Sequence, residues 1–462
     1  MRGRHLRFAL SSLLGLLVVV GALAMLGGRR DRRLVVHAQS GTGVVRVAIS
    51  GSNAIDCGGV ISPCRTVQYA LDQAAIGAEI LVAQGTYTDV NARTGITQVV
   101  HITKAVTIRG GYTTTNGFAD PPDPVANPTI LDAGGRGRVL YVIGTSALTI
   151  EGLRLTGGDA QAADPAATGG GVLLTDAVAA ISNCQVFSNT ANYGGGLLVS
   201  LSEVTLSNNA IFSNTAVNYG GGINIYQSPQ VELRDNTVLS NVALSGGGLG
   251  VIDSDVTLIS NVVSANIATV SGGGMDVFSG TARFLGNTVS ANSATTSGGG
   301  LNVTSSTIEF TGNAILGNIA INNHGGGLHV TDSPTTLSGN TFYSNTAGTN
   351  SGAMFLVKSS TTVSNCHIFS NTAAVGGGVK TEFSPVALVN NAVYANAADW
   401  GGGIDIYSST VEIIGNDVFS NTSANYGGGL LLYQSLDATV MGNAVFSNVA
   451  TSGGGGVFMV YD

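Results

Sequence analysis

The 462 residues are 44% hydrophobic and only 10% charged, which gives enough apolar material for a long core and a surface of mostly neutral amides and hydroxyls. Beyond residue 38 there are 12 Lys+Arg (19 less 7) against 26 Asp+Glu (27 less 1), a net charge of −14. That balance argues against nucleic acid and anionic membrane partners, and it disfavours polyanionic sugars unless calcium bridges them.

The chain begins with an export pattern. Arg2, Arg4 and Arg7 precede an apolar run from Phe8 to Leu26, and Val36-His37-Ala38 offers a cleavage point before Gln39. The run is about long enough to span a bilayer, and Arg29, Arg30, Arg32 and Arg33 follow it. Residues 1–38 therefore read as a signal peptide, with an uncleaved N-terminal anchor as the alternative. No later stretch could span a membrane, so a secreted or cell-surface protein is expected, with no transmembrane domain once the signal is removed.

Residues 39–168 read as an N-terminal cap and irregular first coils. Cys57 and Cys64, seven apart with Gly-Gly and Pro between them, are expected to close a local disulfide. Thr66 to Ala75 carries Val67, Ala70, Leu71 and Ala74 at i, i+3, i+4 and i+7, the pattern of a short amphipathic helix. Such a helix would cover the open strand edges of the first coil. Strand-like runs follow at 80–82, 99–102, 106–108, 139–143 and 148–150, interrupted by a Pro-rich loop at 121–128. An Ala-rich loop, Asp159 to Thr168, leads into the repeats.

From residue 169 to 462 a Gly triplet followed by an apolar-x-apolar run returns every 25 to 27 residues, from Gly169 to Gly453. One gap of 51 holds a worn triplet, Ser351-Gly352-Ala353, which makes twelve copies. The copy from Gly220 contains three alternating runs: 223–226, 231–233 and 236–241. Period-two alternation bounded by Gly, Ser, Pro and Asn reads as strand and turn. About 26 residues and three short strands per coil, with no copy able to bury its apolar side alone, is the pattern of a parallel solenoid. Stacked at about 4.8 Å, twelve coils make a rod roughly 58 Å long. Spacing between the last Asn of a copy and the next triplet varies from five to seven residues, as expected of a surface loop. Two Asn columns, one through Asn189, Asn214 and Asn241 and one through Asn236, Asn261 and Asn287, read as stacked amides in turns that tolerate left-handed conformation. Cys184 and Cys366 sit at equivalent positions seven copies apart and read as small buried residues.

The repeat resembles right-handed parallel β-helix proteins of the pectin-lyase-like superfamily. More narrowly it is similar to the polymorphic outer-membrane protein repeat, through Gly-Gly-Gly-Leu/Ile/Val and Phe-Ser-Asn-Thr-Ala (Phe187 to Ala191, Phe369 to Ala373). Here the third Gly replaces Ala almost throughout, and the aromatic lies two residues before Asn. The resemblance implies an all-β, single-chain right-handed parallel β-helix, a handedness that the crossover rule also favours. It does not imply one activity, since the superfamily spans lyases, hydrolases and adhesins. Polymorphic outer-membrane proteins carry a C-terminal barrel, whereas this chain stops at Tyr461-Asp462 after the first strand of the twelfth copy. A partner covering that edge, or a longer parent protein, is the expectation there.

Two columns of side chains are candidates for function. The first is the second residue after each triplet, expected to point outward, where Asp276, Asn302 and His329 fall on adjacent coils and Lys380 lies beside Asp405. Superfamily enzymes place active sites on such a face. Here the carboxylates stand too far apart for paired acid and base work, and Lys380 with Asp405 reads as an exposed ion pair of small value. The second column is the aromatic position of the third strand: Tyr343, Phe369, Tyr394, Phe419 and Phe446 on consecutive coils. Parity turns these rings outward, and each ring stacked on a sugar or an apolar partner contributes on the order of 1 kcal/mol. Neither catalytic nor metal residues are expected. Gly272 to Asp276 and Gly401 to Asp405 share letters with calcium-binding nonapeptide repeats but lack the nine-residue period, so no cofactor is expected beyond that hint of calcium. The chain thus reads as a non-enzymatic scaffold for adhesion or for carbohydrate or surface binding, with a polysaccharide lyase or glycoside hydrolase as the alternative.

Overall fold

In each coil the apolar member of every alternating pair turns inward, and the coil closes only by pairing its strands with those of the next. The computed structural model describes residues 43–161, 167–435 and 437–460. The expected export segment 1–38, residues 162–166 of the Ala-rich loop and Tyr461-Asp462 lie outside the described residues. About 14 coils of about 26 residues stack into an all-β parallel solenoid with one short helix near its start. Three long sheets of 15, 14 and 15 strands run its length. In the coil from Gly220 they receive Ile223–Tyr226 (triplet sheet), Gln230–Arg234 (second sheet) and Thr237–Leu239 (asparagine sheet).

The corner expected to be loop is a fourth face. Val242–Ser245 pairs in parallel with Thr215–Tyr219 and Ile267–Ser271 inside a seven-stranded sheet, and a three-stranded sheet of Ala397–Ala398, Thr422–Ser423 and Val449–Ala450 continues this corner. Its register shifts where the copies differ in length, so insertions are absorbed as bulges within a ladder. In the last copy the structure aligns Gly454, not Gly453, with the first triplet glycine: Gly454 has φ +62° and Gly453 pairs with Tyr426.

Three polar ladders hold the corners. Asn214 Nδ2 donates to Asn241 Oδ1 at 3.0 Å and to the Val186 carbonyl at 2.9 Å, while the Asn214 backbone N–H donates to the same Asn241 oxygen. Asn241 repeats this toward Asn266, and Asn266 toward Asn292. A second ladder runs through Asn209, Asn236, Asn261, Asn287 and Asn313. The third was missed in the sequence: Ser202, Ser228 and Ser254 each sit at the turn after the triplet strand, and their hydroxyls accept from the backbone N–H one coil before, of Ala177, Ser202 and Ser228 respectively. The ladder asparagines do not take left-handed conformations. Those fall on the residue before, as at Ser188 and Ser213 (φ 54° each), which leaves the Asn in register to stack. Cys184 and Cys366 occupy the second Asn column. Both are buried free thiols, and Asn340 Nδ2, which donates to the Phe310 carbonyl at 3.0 Å, meets the Cys366 sulfur at 3.9 Å where other rungs have an amide oxygen.

The chain entry is closed by helix α1 (Val67–Gln73), with Thr66 accepting from the Tyr69 N–H as its N-cap. Its buried side, Val67, Ala70 and Leu71, packs on strands Val44–Val47, Glu79–Ala83 and Ile96–Ile102. A disulfide joins Cys57 to Cys64, and Cys64 pairs with Val47 on the first strand. The strands after it, among them Val106–Tyr112 and Leu148–Glu151, already stack in register with the repeat sheets.

Candidate functional site

The side chains two places after each triplet do leave the coil interior, but they do not reach solvent. Asp276 is 5% exposed, Asn302 9%, Lys380 6% and Asp405 3%; only His329 keeps a partly exposed edge. The expectation of an outward polar stripe fails because alternation fixes the side of the strand and not what lies above it. The first glycine of each triplet, in left-handed conformation, folds the preceding residue back over this face. A Cβ on Gly272 would come within 2.8 Å of the Asp276 Cβ, and one on Gly376 equally close to the Lys380 Cβ. Ser245, Ser271 and His324, the residues just before three triplets, thereby meet the stripe.

The result is a buried polar relay. Ser271 Oγ donates to Asp276 Oδ2 at 2.8 Å, Asn302 Nδ2 donates to Asp276 Oδ1 at 3.0 Å, and Asn302 Oδ1 lies 2.8 Å from His329 Nδ1. Asn302 thus joins the Asp and the His, which strand spacing alone would hold about two rungs apart. Burial raises the Asp276 carboxyl, against hydrogen bonds from Asn302, Ser271 and Ser245 that lower it. Burial, helped by the neighbouring His324, pushes the His329 imidazole down to about 3. Asn224, two coils before Asp276, is buried with no partner for its Oδ1, because Gly250 offers no side chain between them.

Lys380 and Asp405 are a buried pair, not the exposed one expected. Nζ stands 3.0 Å from Asp405 Oδ2 and 3.3 Å from Glu382 Oε1, with Phe355 and Leu431 on the rungs to either side. Such a pair must offset a large desolvation cost, so its role is not the minor one of a surface bridge.

The aromatic column is the accessible feature. Tyr343, Phe369, Tyr394 and Phe419 are half-buried, and Phe446 is 52% exposed. Successive ring centroids lie 5.1, 4.9, 4.9 and 5.1 Å apart with interplanar angles of 2 to 5°. The rings therefore cover one another's faces along the rod. They present a continuous row of edges to solvent, so the expectation that each ring stacks singly on a sugar does not hold. Thr341, His367, Ala392 and Asp417 run beside them on the same sheet face. Elsewhere a depression of about 380 Å³ on the second sheet is lined by Val178, Ala180, Glu203, Thr205 and Glu232. Among the described residues no group of three or more His, Cys, Asp or Glu is placed to hold a metal ion, and no helix is long and apolar enough to cross a membrane.

The architecture is that of a right-handed parallel β-helix. The family described as the right handed beta helix region matches residues 138–315 and 308–445, and the chain belongs to it. No curated protein sequence matches the chain. Among solved structures it is similar to pectate lyase Pel9A (14% identity, TM-score 0.39, 65% of this chain and 79% of that one). It is also similar to XylC in complex with xylose (10%, 0.43, 86% and 86%). A third is PfbA, a surface adhesin of Streptococcus pneumoniae (10%, 0.29, 78% and 88%).

Proposed function

We propose that this protein is a secreted or surface-displayed, non-enzymatic β-helix scaffold that binds an extended polysaccharide or cell-surface partner along its aromatic row. The observation that carries this reading is the row itself: five stacked rings, edge-exposed, on five consecutive coils. Rings locked against each other lose little freedom on binding, so contact with a long apolar or glycan surface costs little ordering. The carboxylate of the relay, Asp276, is enclosed with Asn302 by its own corner, which favours binding over catalysis. The acidic surface suits a neutral glycan better than a polyanion.

The test replaces Tyr394 and Phe419 by Ser, which the scaffold already carries at Ser264 and Ser290 in the same column. Retention on a panel of immobilised neutral polysaccharides and cell-surface preparations should fall at least tenfold. A double variant that binds as well as the parent removes the row from the function. The alternative, a lyase or hydrolase, predicts unsaturated or reducing-sugar products from the same panel. Glu203 and Glu232, over the open depression, are the carboxylates to change if products appear.

A further inference from the structure

Lys380 and Asp405 face each other in register on neighbouring coils of the triplet sheet, 25 residues apart in the chain. Both side chains are nearly excluded from water, at 7% and 4% exposure. The rungs on either side carry Phe355 and Leu431, themselves 3% and 7% exposed, and the Tyr407 ring lies 5.9 Å from Nζ. A second carboxylate, Glu382, approaches the same nitrogen at 3.3 Å from the more open side, where it is 26% exposed. An amine, a carboxyl carbon and an acid–base group are thus held together in an apolar pocket. A dry site destabilises the separated charges relative to neutral amine and neutral acid, which carry the same protons.

We propose that Lys380 and Asp405 condense into an intramolecular isopeptide bond, with Glu382 as the proton carrier. The neutral Nζ attacks Asp405 Cγ, and the N–Cγ bond forms. Glu382 takes a proton from nitrogen and delivers it to the departing Asp405 oxygen; the C–O bond breaks and one water leaves past the exposed edge of Glu382. The amine and the acid become an amide and water, with no oxidant and no co-reactant. Proximity supplies the driving advantage, since the sheet register holds the reacting groups in contact. The bond replaces two buried charges by one uncharged amide and ties one coil to the next. It is independent of the glycan-binding reading.

Peptide mapping by mass spectrometry of the full purified chain tests this. The expected result is a branched peptide joining the segments that carry Lys380 and Asp405, lighter than their sum by one water. The Glu382→Gln and Lys380→Arg variants, checked for folding by circular dichroism, should yield only the two linear peptides. Because Lys380→Arg keeps the ion pair, it separates the covalent bond from the charge contact. Full recovery of both linear peptides from the parent chain, fresh and after prolonged incubation at neutral pH, would overturn the proposal. So would an undiminished branched peptide in the folded Glu382→Gln variant.

Discussion

His329 and Asp276 pull the stability of the rod in opposite directions as the pH changes. The folded chain holds His329 neutral down to about 3, while the unfolded chain protonates it near 6.5. Between those values the unfolded state binds more protons, so acidification below 6.5 costs stability. Asp276 is raised, so its contribution is present at low pH and is lost as the pH rises through its folded value. Replacing His329 by Gln should flatten the loss between pH 6.5 and about 4, measured as urea midpoints over that range; an unchanged slope would assign the effect elsewhere. At Cys366 the second asparagine ladder is weakened, since the sulfur accepts weakly from Asn340 and only the Cys366 backbone N–H donates to Asn391 Oδ1. Cys366→Asn should restore that rung and stabilise the fold by about 1 kcal/mol, seen as a raised melting temperature.

The elements differ in how openly the sequence declared them. Ile223–Tyr226 and its two partners were legible because apolar side chains alternate there at every second position. Helix α1 was legible from Val67, Ala70, Leu71 and Ala74. The corner strands such as Thr215–Tyr219 were not, because their lengths drift and their inward positions are small, as at Ala216. That miss hid the cover over Asp276 and Lys380, and with it the buried state of the polar stripe. The serine ladder was also hidden, since an isolated Ser after a strand looks like any turn. At the N-terminal end, the Cys57–Cys64 loop is short, so opening it with Cys57→Ser should cost about 2 kcal/mol. Hydrogen exchange should show the loss confined to strand Val44–Val47 and α1, with the coils beyond Gly169 unaffected. Equal deprotection of distant coils would mean that the cap sets the stability of the whole rod.

At the scale of the whole molecule each coil touches only its two neighbours, so stability should be nearly a sum over coils. Deleting residues 246–271, one complete coil, should leave a cooperatively folding protein with a urea m-value lower by roughly the share of one coil in about 14. Its β-sheet circular dichroism should be unchanged, and a collapse to unfolded chain would show long-range coupling instead. The side-chain ladders do carry one property across every coil. In the column from Asn189 through Asn421 each amide oxygen faces the coil before, while one side-chain N–H donates to the Asn one coil after and the other returns to a carbonyl of the coil before. The backbone N–H groups pin each oxygen, so no single amide can reverse without breaking bonds on both sides. Parallel strands on opposing faces set many backbone dipoles against one another, but these amides all point one way. That column is therefore directional along the axis, with its amide oxygens turned toward α1 and the N–H groups that link the amides turned toward Asn448.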